Sequence, residues 1–407
     1  MFIADLHIHS KYSRATSRDM DLEHLAQSAR QKGINLLGTG DFTHPLWLAE
    51  LKQKLQPAEP GLFLYAGLRF ILTAEICNIF ESRGSIKRIH NLVFLPALES
   101  ADRLARKLGS YGSVTVDGRP MLQLSADDLA GIVRDIDPDG FLVPAHIWTP
   151  HFSLFGSNSG FDRLADCFPK RHGEIFAVET GLSSDPEMNW RLSALDGLAL
   201  GSNSDAHSPA KIGREVNVFS QPLDYHQLRQ VLAEKDDRRF LYTVEYFPEE
   251  GKYHYDGHRL CKTALAPEAS RRLNNLCPVC GRKVTVGVLH RVLDLADRPE
   301  GGRPERAIPF RRMIPLDQII AFALGKTVDS PAVRDSYQKI IRSLGTEFEI
   351  LLTIPEADIR AQAEPRLADA VISVRAGRVK VEPGYDGEFG RIEIFPEAAA
   401  PQQSTLF

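Results

Sequence analysis

Across the first 235 residues, short apolar runs keep ending on histidines and carboxylates. Phe2–Ala4 leads to His7 and His9, and Ile34–Leu37 leads to Asp41 and His44. The Phe70–Glu75 run ends on its carboxylate, and His90–Leu95 opens on its imidazole. Phe141–Pro144 precedes His146, Ile175–Glu179 ends on Glu179, and Leu198–Gly201 leads to Asp205 and His207. Runs of this length and content predict strands. Between the first two, Leu22–Lys32 places Leu22, Leu25, Ala26 and Ala29 at helical spacing and stops at Gly33. Strands alternating with helices predict a parallel α/β architecture. In a β/α barrel the C-terminal strand ends share one face, and that face carries the chemistry. Nine of the 13 histidines precede residue 208, which fits one such face better than a scatter.

Residues i and i+2 of a strand point the same way, so His7 and His9 can meet one cation. Asp5 is expected to orient them from behind. A second i, i+2 pair, Asp205 and His207, follows another apolar run. With Glu75 and the single histidines His90 and His146, these pairs would build a multinuclear centre. Neutral imidazoles around a bridging carboxylate suit zinc, manganese or iron.

A second constellation uses sulfur. Three of the five cysteines lie within residues 261–280, too few and too clustered for a disulfide framework. His258-x2-Cys261 and Cys277-x2-Cys280 supply four ligands at the spacing of a closed, tetrahedral structural zinc. His254 or His290 could replace His258 as the fourth ligand. Cys77 and Cys167 stand apart and are expected to be buried small hydrophobes.

A length of 407 residues exceeds what one core usually serves and predicts two or three domains. No run approaches 18 consecutive apolar residues, so no membrane span is expected, and no secretion signal is visible; the expected location is the cytoplasm. A net charge of −4 excludes bulk basicity as a basis for nucleic-acid binding. Charge is uneven, however: Gly251–Met313 holds 13 Lys/Arg against 6 Asp/Glu. That basic middle is a candidate phosphate-contacting surface. Farther on, Leu316–Leu324, Val333–Leu344 and Glu356–Val371 read as helices, and Ile372–Val381 with Gly390–Phe395 as a short β-pair.

Asp5–Ser10, Gly38–Asp41, Glu75, His90, His146 and Asp205–His207 resemble the motifs of the PHP phosphoesterase superfamily. The resemblance implies a distorted (β/α)7 barrel with up to three metals. His7, His9, Glu75 and Asp205 would hold one. Glu75 would bridge to a second held by His90 and His146. His207, with His44 or Asp41, would hold a third. The chain departs from the family pattern at Ser13-Arg14-Ala15 and Asp41-Phe42, where an acid or histidine is frequent. Arg14 would instead fork onto a phosphate. Two cations in such a centre would activate water and offset the charge of a phosphodiester.

Adding Gly251–Cys261, Cys277–Arg282, Val288–Arg298, Val143–His151, Gly156–Asp162 and Ser202–Gly213 narrows the resemblance to the endonuclease Q family of DNA-repair nucleases, over roughly residues 1–395. That resemblance implies metal-dependent hydrolysis of the phosphodiester 5′ to a deaminated base (uracil, hypoxanthine, xanthine) or an abasic site. Zinc would be structural and would also serve the barrel, with Mg²⁺ or Mn²⁺ as alternatives for activity. The catalytic set would be His7, His9, Glu75, Asp205 and His207. Damaged bases are read outside the stack, and the loop carrying Trp148, His151, Phe152, Ser157 and Asn158 is the candidate pocket. Lys211 and Arg214, with Arg271, Arg272, Arg282, Lys283 and Arg291, would track phosphates.

The expected organisation is a phosphoesterase barrel over residues 1–240, a zinc-binding domain over 245–312, a mainly helical domain over 313–395, and a flexible tail over 396–407. In the tail, Gln403, Leu406 and Phe407 resemble the peptide that docks on the bacterial sliding clamp, and a bacterial source is expected. Two other readings compete: a phosphatase acting on a small phosphomonoester, and a zinc-stapled DNA-binding adaptor without catalysis. A small substrate requires neither the cysteine module nor the basic middle.

Overall fold

The computed structural model describes residues 1–394, and the fold is mixed α/β. Phe2–Asp5 is buried along its whole length because it runs mid-sheet. It pairs in parallel with Leu36–Gly38 and antiparallel with Val216–Phe219. Leu36–Gly38 continues in parallel to Leu68–Ser82, which pairs antiparallel with Ser85–Leu95, itself antiparallel to Phe141–Pro144. On the other side, Val216–Phe219 leads to Phe240–Glu245, which takes Phe310–Arg312 at its edge. Ala177–Glu179 and Ala199–Gly201 form a separate parallel pair.

The sheet is therefore mixed, whereas strand–helix alternation predicts a parallel one. The reason lies at Arg83-Gly84. Both residues have positive φ, 50° and 73°, the signature of a tight two-residue hairpin turn. The two runs around Glu75 and His90 are halves of one long hairpin with Ser82 opposite Ser85. Strands joined so tightly can only be antiparallel.

One apolar cluster contains Phe2 and Ala4, Leu36, Ile71, Leu92 and Phe94, Phe141 and Val143, Ala177, Ala199 and Phe219. These residues come from eight strands, which therefore share one core. A second, larger cluster lies outside them, under the helices. Leu22–Lys32 contributes Leu22, Leu25, Ala26 and Ala29 to it, its first turn capped by the Asp21 side chain.

Residues 316–375 are helical, with one addition and one division relative to the sequence pattern. Glu347–Leu352 forms a further helix with a Thr346/Glu349 capping box. The Glu356–Val371 pattern divides into Glu356–Gln362 and Pro365–Arg375, because Pro365 cannot continue a helix but can start one. Ile372 to Arg375 are accordingly helical, and the β-pair is confined to Lys380–Glu382 and Arg391–Glu393. The buried Lys32–Glu347 ion pair, 3.3 Å, joins these helices to the first one. No helix among the described residues is long and apolar enough to cross a membrane. Gln403, Leu406 and Phe407 lie outside the described residues.

Candidate metal centre

The chain stays extended past the first strand, and Ile8 bridges to Ala206. That contact places His7 and His9 beside Asp205. The hairpin supplies the rest of the wall. Glu75 lies opposite Leu92, and Cys77 opposite His90, so one face carries both Glu75 and His90. His146 follows the Phe141–Pro144 strand.

The Glu75 carboxylate divides the donors into two groups. Its Oε2 lies 3.3 Å from His9 Nε2 and 3.7 Å from His7 Nε2. Asp205 Oδ1 completes that group, 3.0 Å from His9 Nε2 and 3.7 Å from His7 Nε2. Glu75 Oε1 faces the other way, 2.6 Å from His90 Nδ1 and 2.9 Å from His146 Nε2. Within each group the ligand atoms lie within 4.8 Å of one another. His7, His9 and Glu75 are fully buried.

Two observations fit cations here. First, His7 Nε2 is buried without a hydrogen-bond partner, a costly orphan unless it is a ligand. Second, the carboxylates demand positive charge. Burial opposes protonation of His7, but Glu179 and Glu75 outweigh it and raise its pKa well above the ordinary value. Burial likewise opposes charge on His9, and Asp41 and Asp205 reverse it. Burial keeps His90 neutral, lowering it to about 4 in spite of Glu75. A cation meets the same demand and releases those protons.

A second layer orients the imidazoles. Glu179 accepts from His7 Nδ1 at 3.0 Å, from the His146 N–H at 3.0 Å and from Asn203 Nδ2 at 2.9 Å. Asp41 lies 3.1 Å from His9 Nδ1. Both contacts leave Nε2 facing the centre, the carboxylate–histidine arrangement of metal sites. Asp41, His146 and Asp205 hold φ of 49°, 30° and 47°, sparsely populated values for residues other than glycine.

Several expected residues stand elsewhere. Asp5 makes no hydrogen bond to His7 among the described residues; it accepts from Ser204 N, Ser204 Oγ and Gly213 N, anchoring the segment that carries Asp205. Burial raises its pKa to about 6 against those hydrogen bonds. Asp41 is committed to His9, Ser10 and Ser13. His44 lies 3.2 Å from the Thr115 carbonyl and stacks on Tyr12. His207 Nδ1 donates to the Asp205 carbonyl, 2.8 Å. Among the described residues, Asp41, His44 and His207 do not converge into a third donor group.

Beside the centre opens a cavity of about 530 Å³, lined in part by Arg14, Arg119, His146, His151 and Phe152. Trp148 is not in its wall. It is buried, donates to Asn189 and packs on Phe155. Ser157 and Asn158 are exposed at the loop tip, and Asn158 Nδ2 lies 3.1 Å from His151. Lys211 and Arg214 are likewise not among the lining residues. Sequence reasoning left Glu179 without a role, although its position at a strand end was the available signal. It missed Arg119 and Asp117, which lie in a loop without a motif.

The cysteine module brings together His258, Cys261, Cys277 and Cys280, all four ligand atoms within 4.8 Å. His290 is instead paired with Asp256 at 2.5 Å, and His254 is buried outside this group. Burial would raise Cys277, but the N–H groups of Cys280 and Val279 bring it down to about 6. A thiol at that value is largely thiolate, the form that binds cations. Cys77 and Cys167 are buried and free. Arg291 is occupied by Asp162 and the carbonyls of Phe155 and Phe161, and Arg271 pairs with Asp294.

The chain as a whole is similar to proteins already known. The lesion-specific endonuclease PfuEndoQ from Pyrococcus furiosus superposes with a TM-score of 0.86 at 33% identity, covering 97% of this chain and 96% of that one. An endonuclease Q complex with a 27-mer duplex, bearing an abasic lesion at the active site, gives 0.85 at 33% identity and 97% coverage of both chains. YqxK of Bacillus subtilis is 29% identical over 96% of this chain and 98% of its own length. MJ0043 of Methanocaldococcus jannaschii is 32% identical over 68% of this chain but only 36% of its own length. The family model of the MJ0043 C-terminal domain matches residues 315–378.

Proposed function

The chain belongs to the endonuclease Q family, and from that premise we propose that it is a DNA-repair endonuclease that hydrolyses the phosphodiester 5′ to a deaminated base or an abasic site. The observation that carries the reading is Glu75, one oxygen in each of two donor groups, whose other members His90, His146 and Asp205 line a cavity flanked by Arg14 and Arg119. Cations in those groups, Zn²⁺, Mn²⁺ or Mg²⁺, would supply the positive charge that phosphodiester hydrolysis requires.

The chain's own residues do the rest. Glu179 and Asp41 fix the tautomers of His7 and His9. Because His207 Nδ1 is committed to a carbonyl, its Nε2 is free to carry a proton at the edge of the centre. His151 and Phe152 offer ring faces to an extruded base, and Cys77 and Met121 line the same cavity. A loop at the cavity mouth, with Phe152 at φ 61°, is the element that would discriminate lesions.

Within this proposal the curled sheet of residues 1–240 is a distorted (β/α)7 barrel of the PHP type. Residues 245–312 would form a module stapled by zinc on His258, Cys261, Cys277 and Cys280, and 313–394 a mainly helical domain with a short β-pair. Lys211, Arg214, Arg272, Arg282 and Lys283 would contact phosphates. The Gln403, Leu406 and Phe407 motif would dock on a sliding clamp, a reading that rests on the sequence alone.

The test is a panel of end-labelled duplexes carrying one uracil, one hypoxanthine, one xanthine, one abasic site or none, incubated with Mg²⁺, Mn²⁺ or Zn²⁺. A cut on the 5′ side of a lesion and no cut in the intact duplex is expected. Phosphate release from small monoesters without lesion-dependent nicking would replace the reading with the phosphatase.

A further inference from the structure

The segment between Thr115 and Pro120 carries no motif, yet it presses directly on the metal centre. The Gly118 N–H donates to the Tyr12 carbonyl at 3.0 Å. A side chain at position 118 would collide with the Asp41 carboxylate and with Ser13 Oγ. Glycine is thus required for the close approach, and the approach fixes the residues on either side of it.

On one side, Asp117 accepts the backbone N–H groups of both Arg14 and Arg119, each at 3.2 Å, and its other oxygen lies 3.6 Å from Arg14 Nε. The backbone at positions 14 and 119, from distant parts of the chain, is therefore referenced to one carboxylate. On the other side, Arg119 Nη1 donates to Glu75 Oε2 at 3.2 Å, the same oxygen that faces His7 and His9. This is the one side-chain hydrogen bond of Arg119 among the described residues. A guanidinium has five N–H donors in a planar fork. The side chain is 26% exposed and lines the cavity with Arg14, His90, His146 and Asp205.

Charge neutralisation of Glu75 is an insufficient reason for such a group. With a cation in each donor group, Glu75 would have a positive partner at both of its oxygens and would need no third. A fixed guanidinium with open donors beside that carboxylate matches a tetrahedral oxyanion.

We propose that Arg119 is a catalytic residue: its open N–H groups contact a non-bridging oxygen of the scissile phosphate and stabilise the charge that develops there. Asp117 is the positioning residue that presents Arg119 and Arg14 together. The proposal rests on the endonuclease reading and adds to it a residue that touches the substrate.

The test compares wild type, Arg119→Ala and Arg119→Lys in single-turnover cleavage of an abasic duplex, alongside duplex affinity, bound-metal content and rescue by millimolar guanidinium ion. Arg119→Ala should cleave about 10²- to 10³-fold more slowly, bind the duplex with less than a tenfold loss, and keep its metals. Guanidinium ion should restore part of its rate and leave wild type unaffected, and Arg119→Lys should recover little. Cleavage by Arg119→Ala within threefold of wild type would overturn the proposal. So would loss of bound metal with activity restored by excess cation, which would make Arg119 a support for Glu75. If wild type itself shows no lesion-dependent cleavage, the endonuclease reading fails first and Arg119 loses its assigned substrate.

Discussion

Replacing Glu179 with Gln tests the second layer of the centre directly. Glu179 is fully buried and accepts from three donors: His7 Nδ1, the His146 N–H and Asn203 Nδ2. A carboxylate accepts on both oxygens, whereas an amide accepts on one and donates from the other. In Glu179→Gln at least one of the three must therefore meet an N–H. If the amide donates toward His7, Nδ1 must accept, the proton moves to Nε2, and the nitrogen facing the centre ceases to be a ligand. Losing such an orienting partner costs about 10- to 100-fold in metal affinity or activity, which is about 1.4–2.7 kcal/mol. The assay is cation titration by calorimetry and by activity. The affinity of the centre should fall by that factor, measured at a temperature where melts show both cation-free proteins folded. Unchanged cation affinity would show that Glu179 does not set the tautomer, and the reasoning would be refuted.

Three further predictions concern other parts of the molecule. Glu245 and Glu215 are buried and both accept from Ser202 Oγ; burial raises Glu245 to about 8 and holds Glu215 well above the carboxylate range. The native state thus keeps a proton that the unfolded chain releases, so this pair's contribution is full below the unfolded value of about 4.3 and is lost as pH rises toward 8; in melts at pH 5 and pH 8, Glu245→Gln should narrow the difference, and an equal difference in both proteins would contradict the assignment. Cys277→Ser should lower bound metal by one equivalent and expose residues 256–285 to proteolysis, whereas a fully protected segment would show that the four side chains do not staple it. Arg291→Ala removes the group that ties Phe155, Phe161 and Asp162 to the Val288–Leu295 helix, and should cost about 1–2 kcal/mol of stability and weaken lesion discrimination; denaturant melts and a lesion panel identical to wild type would sink the link.

Much of the centre was legible because metal ligation demands a few residue types at strand ends. His7, His9, Glu75, His90, His146 and Asp205 could be read as candidates for that reason, and His258 with the three cysteines from spacing alone. What spacing cannot give is which carboxylate sits between the two donor groups and which lies behind an imidazole. Asp41 and Glu179 have the same chemistry as Glu75, and only the register of distant strands separates their roles. The antiparallel hairpin was hidden because Arg83-Gly84 divides two runs that each look like a complete short strand. Trp148 looked like a pocket wall because it sits in an aromatic loop; its indole N–H finds Asn189 and draws the ring into the core. Arg119 carried no signal, since its place depends on Gly118 packing against a residue 77 positions earlier, Asp41.

In the proposed function the two donor groups sharing Glu75 act as one site on damaged DNA. The most direct measurement takes one ligand from each group, His9→Ala and His146→Ala, and maps the cleavage products of an abasic duplex at nucleotide resolution. Wild type should cut 5′ to the lesion, both variants should lose the cut, and both should still bind the duplex. A variant that cuts at the wild-type position and rate, or a wild-type cut that ignores the lesion, would contradict that function.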